Sequence, residues 1–534
     1  MKFRFLSAVA AVAALGACNF VQGGGSGSGG GGGGNAQAVA PAVDAEQLRA
    51  AVTDERVRRF YEARQWQPAW NEAAAGELMA AITEDAPRHA LAREQLLPAG
   101  AERAEPAARE AAMSLAAINF AEALARGRTD PARIFEVYTH QRPEADAVAG
   151  LNQAVQQGGV RQWLATLAPQ DPEYRALSEA YMGYRNRAAR EGPRAIPVGE
   201  AIEPGGNDPR VATIAEALRE NGYLAAAAPA QPQQQQGQAE PKQKQRQQAA
   251  PATRYTPELV AAVRRLQGDY GINPDGIIGE TTVQALNTGA FGRARTLAVN
   301  LERRRWLARE AVPTRIDVNT AAAELYYFRD GNLANRRRVV VGQQGNETPE
   351  LSSPMFRLVA NPTWTVPRSI EEEEIAPRGA AYLRANNMTR GANGFIIQQP
   401  GPRNSLGLVK FDMQNEHAIY LHDTPAKGLF AQNERHASHG CVRVQDALGF
   451  ARMIAEHEGV LPQYQQAQAT GEETMVPLPR RLPVRLLYHS AFVDNGRVVF
   501  RPDPYGWDDR VAEALGLARR ERPQVTRHVG DVGP

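Results

Sequence analysis

At about Thr314 the residue pattern of this chain changes period, and that change decides what it can fold into. From Val43 to about Arg194 apolar residues recur at helical spacing: Leu48, Val52, Val57 and Phe60, then Leu78 and Ile82, later Met113, Leu115, Ile118 and Leu124. Beyond Thr314 the runs are short and β-branched or alternating. Ile316-Asp-Val318, Glu324-Leu-Tyr-Tyr-Phe328 and Arg338-Val-Val-Val341 read as strands, with Asp330-Gly331 as a hairpin turn. Val484-Arg-Leu-Leu-Tyr488 and Arg497-Val-Val-Phe500 read as a second hairpin around Asn495-Gly496, followed by a helix from Trp507 to Leu517. The expected class is multidomain α+β, a helical domain followed by a mainly β one. The 534 residues allow about three domains at ~150 residues each.

Two cysteines occur in the whole chain. Cys18 ends Leu15-Gly16-Ala17-Cys18 behind a basic start (Lys2, Arg4) and an apolar run from Phe5 to Leu15. That is the pattern of a secretory leader over residues 1–17 with a lipid-attachment cysteine. Asn19 after it, rather than aspartate, points to the outer membrane, so the protein is expected in the periplasm, held to a cell-envelope membrane by lipid alone. Apart from the leader, no apolar run is long enough to cross a bilayer. Gly23 to Gly34 then forms a flexible Gly/Ser tether within residues 18–42. The chain has 61 basic and 59 acidic residues; removing Lys2 and Arg4 with the leader balances them, which gives no electrostatic sign of nucleic acid.

Cys441, in Ser438-His-Gly-Cys-Val-Arg-Val444, is the unpaired thiol left in an exported chain, which marks it as reactive. A buried inert cysteine is the alternative for an isolated residue, but this one lies between glycine and a polar, basic neighbourhood. Four of nine histidines, His417, His422, His436 and His439, fall in the same segment. A thiol attacks a carbonyl as thiolate, and a nearby imidazole is the usual agent of that change. His422 sits at the C-terminal edge of a short strand through Ile419, Tyr420 and Leu421 that Pro425 ends. Ser438-His439-Gly440 is read as a tight turn leading towards the helical pattern Ala447-Leu448-Phe450-Ala451-Met453-Ile454. A cysteine there is expected to face helix-start amides, which lower its pKa and stabilise an oxyanion.

His422-Asp-Thr-Pro425 followed nineteen positions later by Cys441 in Ser-His-Gly-Cys-Val-Arg443 resembles the signature of the L,D-transpeptidases, cysteine enzymes that cross-link peptidoglycan. Asn361-Pro-Thr-Trp-Thr-Val-Pro-Arg-Ser-Ile370, Gly401-Pro-Arg-Asn-Ser-Leu-Gly-Leu-Val-Lys-Phe411, Asn300-Leu-Glu-Arg-Arg-Arg-Trp-Leu307 and Phe60-Tyr-Glu-Ala-Arg-Gln-Trp-Gln-Pro-Ala-Trp70 are similar to segments of the large, scaffold-bearing subclass. The resemblance implies Cys441 as nucleophile and His422 as general base, oriented by the Asp423 carbonyl. It also implies His439 and the Gly440 and Cys441 amides on the oxyanion side, with Ser438 in the substrate-facing turn. Arg443 would hold a substrate carboxylate or a structural salt bridge, and Tyr420 would gate the pocket or fill the core. Glu371 to Gln399 is charged and helical in pattern, and the resemblance makes it a lid over the groove.

Ile202 to Leu286 resembles a peptidoglycan-binding domain in two parts. Asp208-Pro-Arg-Val211, Ile214, Leu218 and Gly222-Tyr-Leu224 form the first. Leu259, Val263, Leu266-Gln267, Gly271-Ile272 and Asp275-Gly-Ile-Ile-Gly279 form the second, ending at Thr282 and Leu286. Ala225 to Thr253 between them is rich in Gln, Ala and Pro and reads as a disordered insert outside the family pattern. The expected divisions are a scaffold over 43–200, a small three-helix wall-binding domain over 201–290 with its insert at 225–253, and a catalytic domain over 293–475 with a lid at 369–400. A C-terminal hairpin and helix follow over 476–534. The implied activity is 3→3 cross-linking of tetrapeptide stems in cell-wall biogenesis and cell shape, without metal or cofactor. The same chemistry with water or an envelope protein as acceptor would give an L,D-carboxypeptidase or a lipoprotein-anchoring enzyme. A non-catalytic wall-binding lipoprotein is the reading from another class.

Overall fold

The computed structural model describes residues 43–190, 195–225 and 253–518. Cys18, the leader, the tether and residues 226–252 of the insert lie outside them. The N-terminal region is helical, and polar residues start its helices. Asp54 accepts the Arg56 and Val57 amides ahead of Glu55–Ala63, and Asp171 accepts Tyr174 N–H ahead of Pro172–Ala188, where proline occupies the first turn. Leu48, Val52, Val57, Phe60, Leu78, Ile82, Met113, Ile118 and Leu124 are buried, whereas Leu115 is half-buried. Three further helices, Val211–Glu220, Pro257–Asp269 and Glu280–Asn287, make a small domain. Gln267, 1% exposed, holds its turn: its amide donates to Asp275 Oδ1 (3.0 Å) and the Ile277 carbonyl (2.9 Å) and accepts Gly276 N–H (2.9 Å). Gly276 sits at φ +81°, which suits glycine there.

The β region contains fourteen strands: β1 Arg315–Asn319, β2 Glu324–Arg329, β3 Asn332–Gly342, β4 Ser352–Ala360, β5 Trp364–Thr365, β6 Met388–Arg390 and β7 Ile396–Gln398, then β8 Val409–Met413, β9 Leu421–His422, β10 His436–Ser438, β11 Val442–Val444, β12 Thr474–Leu487, β13 Ala491–Asp494 and β14 Arg497–Phe500. The main sheet runs β10-β3-β11-β9-β8-β4-β12-β1-β2, and β3 also pairs with β2. Eight strands, β3 through β2 in that order, therefore close on themselves, and β10 is left as the edge strand beside β3. Ile316, Val318, Leu325, Tyr327, Val339, Leu358, Phe411, Leu421, Val442, Val444 and Leu486 belong to its core. The helix Ala447–His457 packs Phe450, Ala451 and Ile454 into the same core.

Val484 to Leu487 is not one arm of a C-terminal hairpin. These residues end β12, which pairs with β4 on one edge and in parallel with β1 on the other, so the main sheet extends past residue 475. The hairpin is β13 with β14, whose two-residue loop Asn495-Gly496 pairs Asp494 directly with Arg497. A loop that short selects its nearest neighbours. The segment expected to be a helical lid forms short helical turns from Arg368 to Ala385, and strands β5, β7 and β6 add a small antiparallel sheet beside them.

The charged run in Asn300-Leu-Glu-Arg-Arg-Arg-Trp-Leu307 lies on the helix Gly289–Trp306, yet Glu302, Arg303 and Arg305 are at most 1% exposed. Glu302 accepts from Arg305 (2.6 Å), Thr129 N–H (2.6 Å) and Thr129 Oγ1 (2.8 Å), tying this helix to the N-terminal region. Arg303 pairs with Asp508 at 2.5 Å, and Asp508 also accepts from Ser490 Oγ at 2.7 Å. Removing one partner of a buried pair strands the other charge. Asp508→Ala is therefore expected to destabilise the fold by about 3–5 kcal/mol in denaturant titration; a change below ~1 kcal/mol would show that the pair does not hold the C-terminal helix.

Candidate active site

Strand register brings the candidate residues together. β9 and β11 are parallel neighbours with Leu421 opposite Val442 and His422 opposite Arg443. One step back, Tyr420 lies opposite Cys441, and the Tyr420 carbonyl accepts Val442 N–H at 3.1 Å. Paired residues project to the same face and successive residues alternate, so Tyr420, His422, Cys441 and Arg443 share one face, while Leu421, Val442 and Val444 enter the core from the other. The Tyr420 and His422 rings stand 5.7 Å apart, edge to face.

His422 is fully buried, and its Nδ1 lies 2.5 Å from the Asp423 carbonyl oxygen. A carbonyl only accepts, so Nδ1 carries the proton and Nε2 is the basic nitrogen. Asp423 is itself fixed: its Oδ2 accepts Leu408 N–H at 3.0 Å and its other oxygen pairs with Lys427. Gly407 explains part of the Leu-Gly-Leu segment, because a side chain there would run into the Asp423 carboxylate.

The electrostatics of Cys441 differ from the sequence expectation. The sulfur does not face a helix start: β11 intervenes, and the helix beyond begins at Ala447 with its Gly449 amide taken by Asp446. Cys441 is 5% exposed, and burial pushes its thiol up to about 11 against the hydrogen bonds of Tyr420 and the charges of Lys410 and Arg443. The resting thiol is neutral, with the Ala418 carbonyl 3.7 Å from Sγ. Ala418 has φ +53°, a left-handed conformation that turns its carbonyl and costs an alanine about 1 kcal/mol. The Gly440 amide is also placed otherwise than expected. It donates to Ser438 Oγ at 3.3 Å, a local side-chain turn, and Ser438 Oγ in turn donates to the Cys441 carbonyl at 2.6 Å. Ser438 is thus fully buried inside the turn.

Tyr420 is half-buried and packs against the cluster of Trp364, Val366, Ile370, Ile375, Met388, Ile396 and Leu406, drawn from the 369–400 insertion and the chain flanking it. Burial raises its phenol strongly. Arg443 is 1% exposed. Two charged residues were not singled out from sequence. Lys410 Nζ stands 4.3 Å from the Tyr420 ring centroid and pairs with Asp412 at 2.8 Å; it faces His422 across β8 and β9. Glu374, from the lid segment, accepts from His439 Nε2 at 2.6 Å. Nothing in linear spacing links residue 374 to 439; only the folded insertion does. This half-exposed contact ties the 371–375 turn to the residue two positions before Cys441. Glu374→Ala should raise the iodoacetamide alkylation rate of Cys441 about 2- to 5-fold at pH 7, matching the ~0.5–1 kcal/mol such a pair contributes. An unchanged rate would mean that access to the sulfur is not limited by this contact.

Residues 313–471 match the family described as the L,D-transpeptidase catalytic domain, residues 55–180 a scaffold domain, and residues 207–286 a "putative peptidoglycan binding domain". A Haemophilus influenzae protein named "Putative L,D-transpeptidase" is 32% identical over 219 residues, covering 37% of this chain and 45% of that protein. The chain thus spans less than half the length of that relative. Among solved structures, the L,D-transpeptidase of Stackebrandtia nassauensis is 13% identical with a TM-score of 0.23, over 57% of this chain and 100% of that one. The Xylanimonas cellulosilytica L,D-transpeptidase fragment is 14% identical with a TM-score of 0.17, over 54% and 98%. From the family matches and the curated relative, this chain carries an L,D-transpeptidase catalytic domain joined to a scaffold domain and a peptidoglycan-binding domain.

Proposed function

We propose that this protein is a cysteine L,D-transpeptidase that joins tetrapeptide stems of peptidoglycan by 3→3 cross-links, serving cell-wall biogenesis and cell shape. The observation that carries the reading is the shared sheet face of Cys441 and His422, with His422 Nδ1 tied to the Asp423 carbonyl. Substrate enters when the lid lifts. The Cys441 proton passes to His422 Nε2 as sulfur attacks the carbonyl of the L-centre of meso-diaminopimelate, forming the C–S bond. The tetrahedral oxyanion is met by the Cys441 amide, with His439 lining that side. His422 returns the proton to the departing D-alanine amine, the C–N bond breaks, and a thioester remains. The side-chain amine of a second stem then attacks, gives a proton to His422 and expels the thiol, which restores the enzyme.

Arg443 holds a stem carboxylate in this scheme and Tyr420 gates the sulfur. The wall-binding domain brings the substrate, and a lipid on Cys18 holds the chain to an envelope membrane, the outer one by Asn19, with the tether setting its reach. The test is incubation of purified soluble protein with wall material, followed by mass spectrometry of the muropeptides. Dimers joined between two diaminopimelate residues are expected. Tripeptides without dimers would make water the acceptor, and a stem attached to an added envelope protein would make that protein the acceptor. Unchanged material would return the chain to the non-catalytic reading.

A further inference from the structure

The peptide bond that carries the Cys441 amide is held from its other side by a residue outside the Ser-His-Gly-Cys motif. Thr348 is fully buried, and its Oγ1 donates to the Gly440 carbonyl at 2.8 Å. The same oxygen accepts Gly342 N–H at 2.8 Å. An amide N–H only donates and a carbonyl only accepts, so the direction of this hydroxyl is set by its two partners. A trans peptide is planar, with its C=O and N–H pointing to opposite sides. Fixing the Gly440 carbonyl therefore fixes the direction of the Cys441 N–H.

The support behind Thr348 is equally constrained. A side chain at Gly342 would come 2.0 Å from the Asn346 carbonyl oxygen and 2.6 Å from Thr348 N, so only glycine lets the 342–348 loop fold back this closely. Tyr505, buried and drawn from the C-terminal segment, braces the loop: its hydroxyl donates to the Gly342 carbonyl at 2.6 Å and accepts Thr348 N–H at 3.4 Å. On the far side Gly440 has φ +113°, a backbone conformation that a β-carbon would strain and that Thr348 keeps in place. Ser438 already occupies the Gly440 amide.

We propose that Thr348 is a positioning residue for acyl transfer, aiming the Cys441 N–H at the developing oxyanion through the Gly440 carbonyl. The proposal rests on the transpeptidase reading above. It separates two reactions of one sulfur. Acylation by a carbapenem builds an oxyanion and needs the amide; alkylation by iodoacetamide builds none and needs only the sulfur. Thr348→Val should lower the acylation rate about 10- to 100-fold, below the full loss of a direct oxyanion donor, and lower kcat with KM little changed. Alkylation should stay within about 2-fold, and Thr348→Ser should restore acylation to within about 3-fold.

Acylation by Thr348→Val at the wild-type rate would overturn the proposal, as would equal losses of acylation and alkylation. If that variant does not fold, Tyr505→Phe keeps the question open to measurement: it removes the brace on Gly342 and should lower the acylation-to-alkylation ratio about 3-fold. An unchanged ratio there overturns the proposal. Wild-type protein that is alkylated but never acylated by the carbapenem would overturn the transpeptidase reading itself, and this proposal with it.

Discussion

Replacing Cys441 by alanine should abolish the covalent carbapenem adduct and the cross-linked products together, a loss of at least ~10⁴-fold. Cys441 is the free cysteine among the described residues, and the sulfur of Cys18 is expected to carry the lipid, which would block it as a nucleophile. The sulfur meets the Ala418 carbonyl at 3.7 Å and hydrogen-bonds with Tyr420, and alanine leaves only a small void. The stability cost should be about 1 kcal/mol, small beside the loss of function, and thermal unfolding would separate the two. Serine keeps the shape but has a hydroxyl far less acidic than a thiol, so it should fall with alanine. If the alanine variant still formed dimers or an adduct, the nucleophile would be another residue and the shared sheet face would have to be explained by structure alone.

The sequence was readable where chemistry and periodicity are local. The helical period, the Asp330-Gly331 and Asn495-Gly496 turns and the Cys-His spacing all survive into the structure because each depends on neighbours in the chain. What linear reading missed depends on contacts across the fold. Val484 to Tyr488 looks like a hairpin arm until β1 and β4 are seen to claim the two edges of its strand. Cys441 looks like an acidified thiol at a helix start, yet β11 separates it from the helix and burial works the other way. Thr348 lies 92 positions from Gly440, and Glu374 reaches His439 from an insertion. No spacing rule relates such pairs.

His422→Asn is expected to lower acylation about 10²- to 10⁴-fold, the range a positioned general base supplies. The reason is the state of the sulfur. A thiol held near 11 is ionised only about once in 10⁴ molecules at pH 7, so the uncatalysed fraction is negligible and a base must take the proton as attack proceeds. His422 Nε2 is the nitrogen left for that work once Nδ1 is committed to Asp423. Asparagine is the informative substitute because its amide can keep a donor to the Asp423 carbonyl while removing the base. The sign of the pH dependence follows from the raised thiol. Without the imidazole, residual acylation should climb about tenfold per pH unit above neutrality and level off only near 11, whereas the wild-type rate, with a base to take the thiol proton, should not follow that rise. His439→Asn, which leaves that nitrogen in place, should keep the wild-type profile even if its rate falls. A His422→Asn variant within about 3-fold of wild type, with an unaltered profile, would move the base to another group, and His439 would be the first to test.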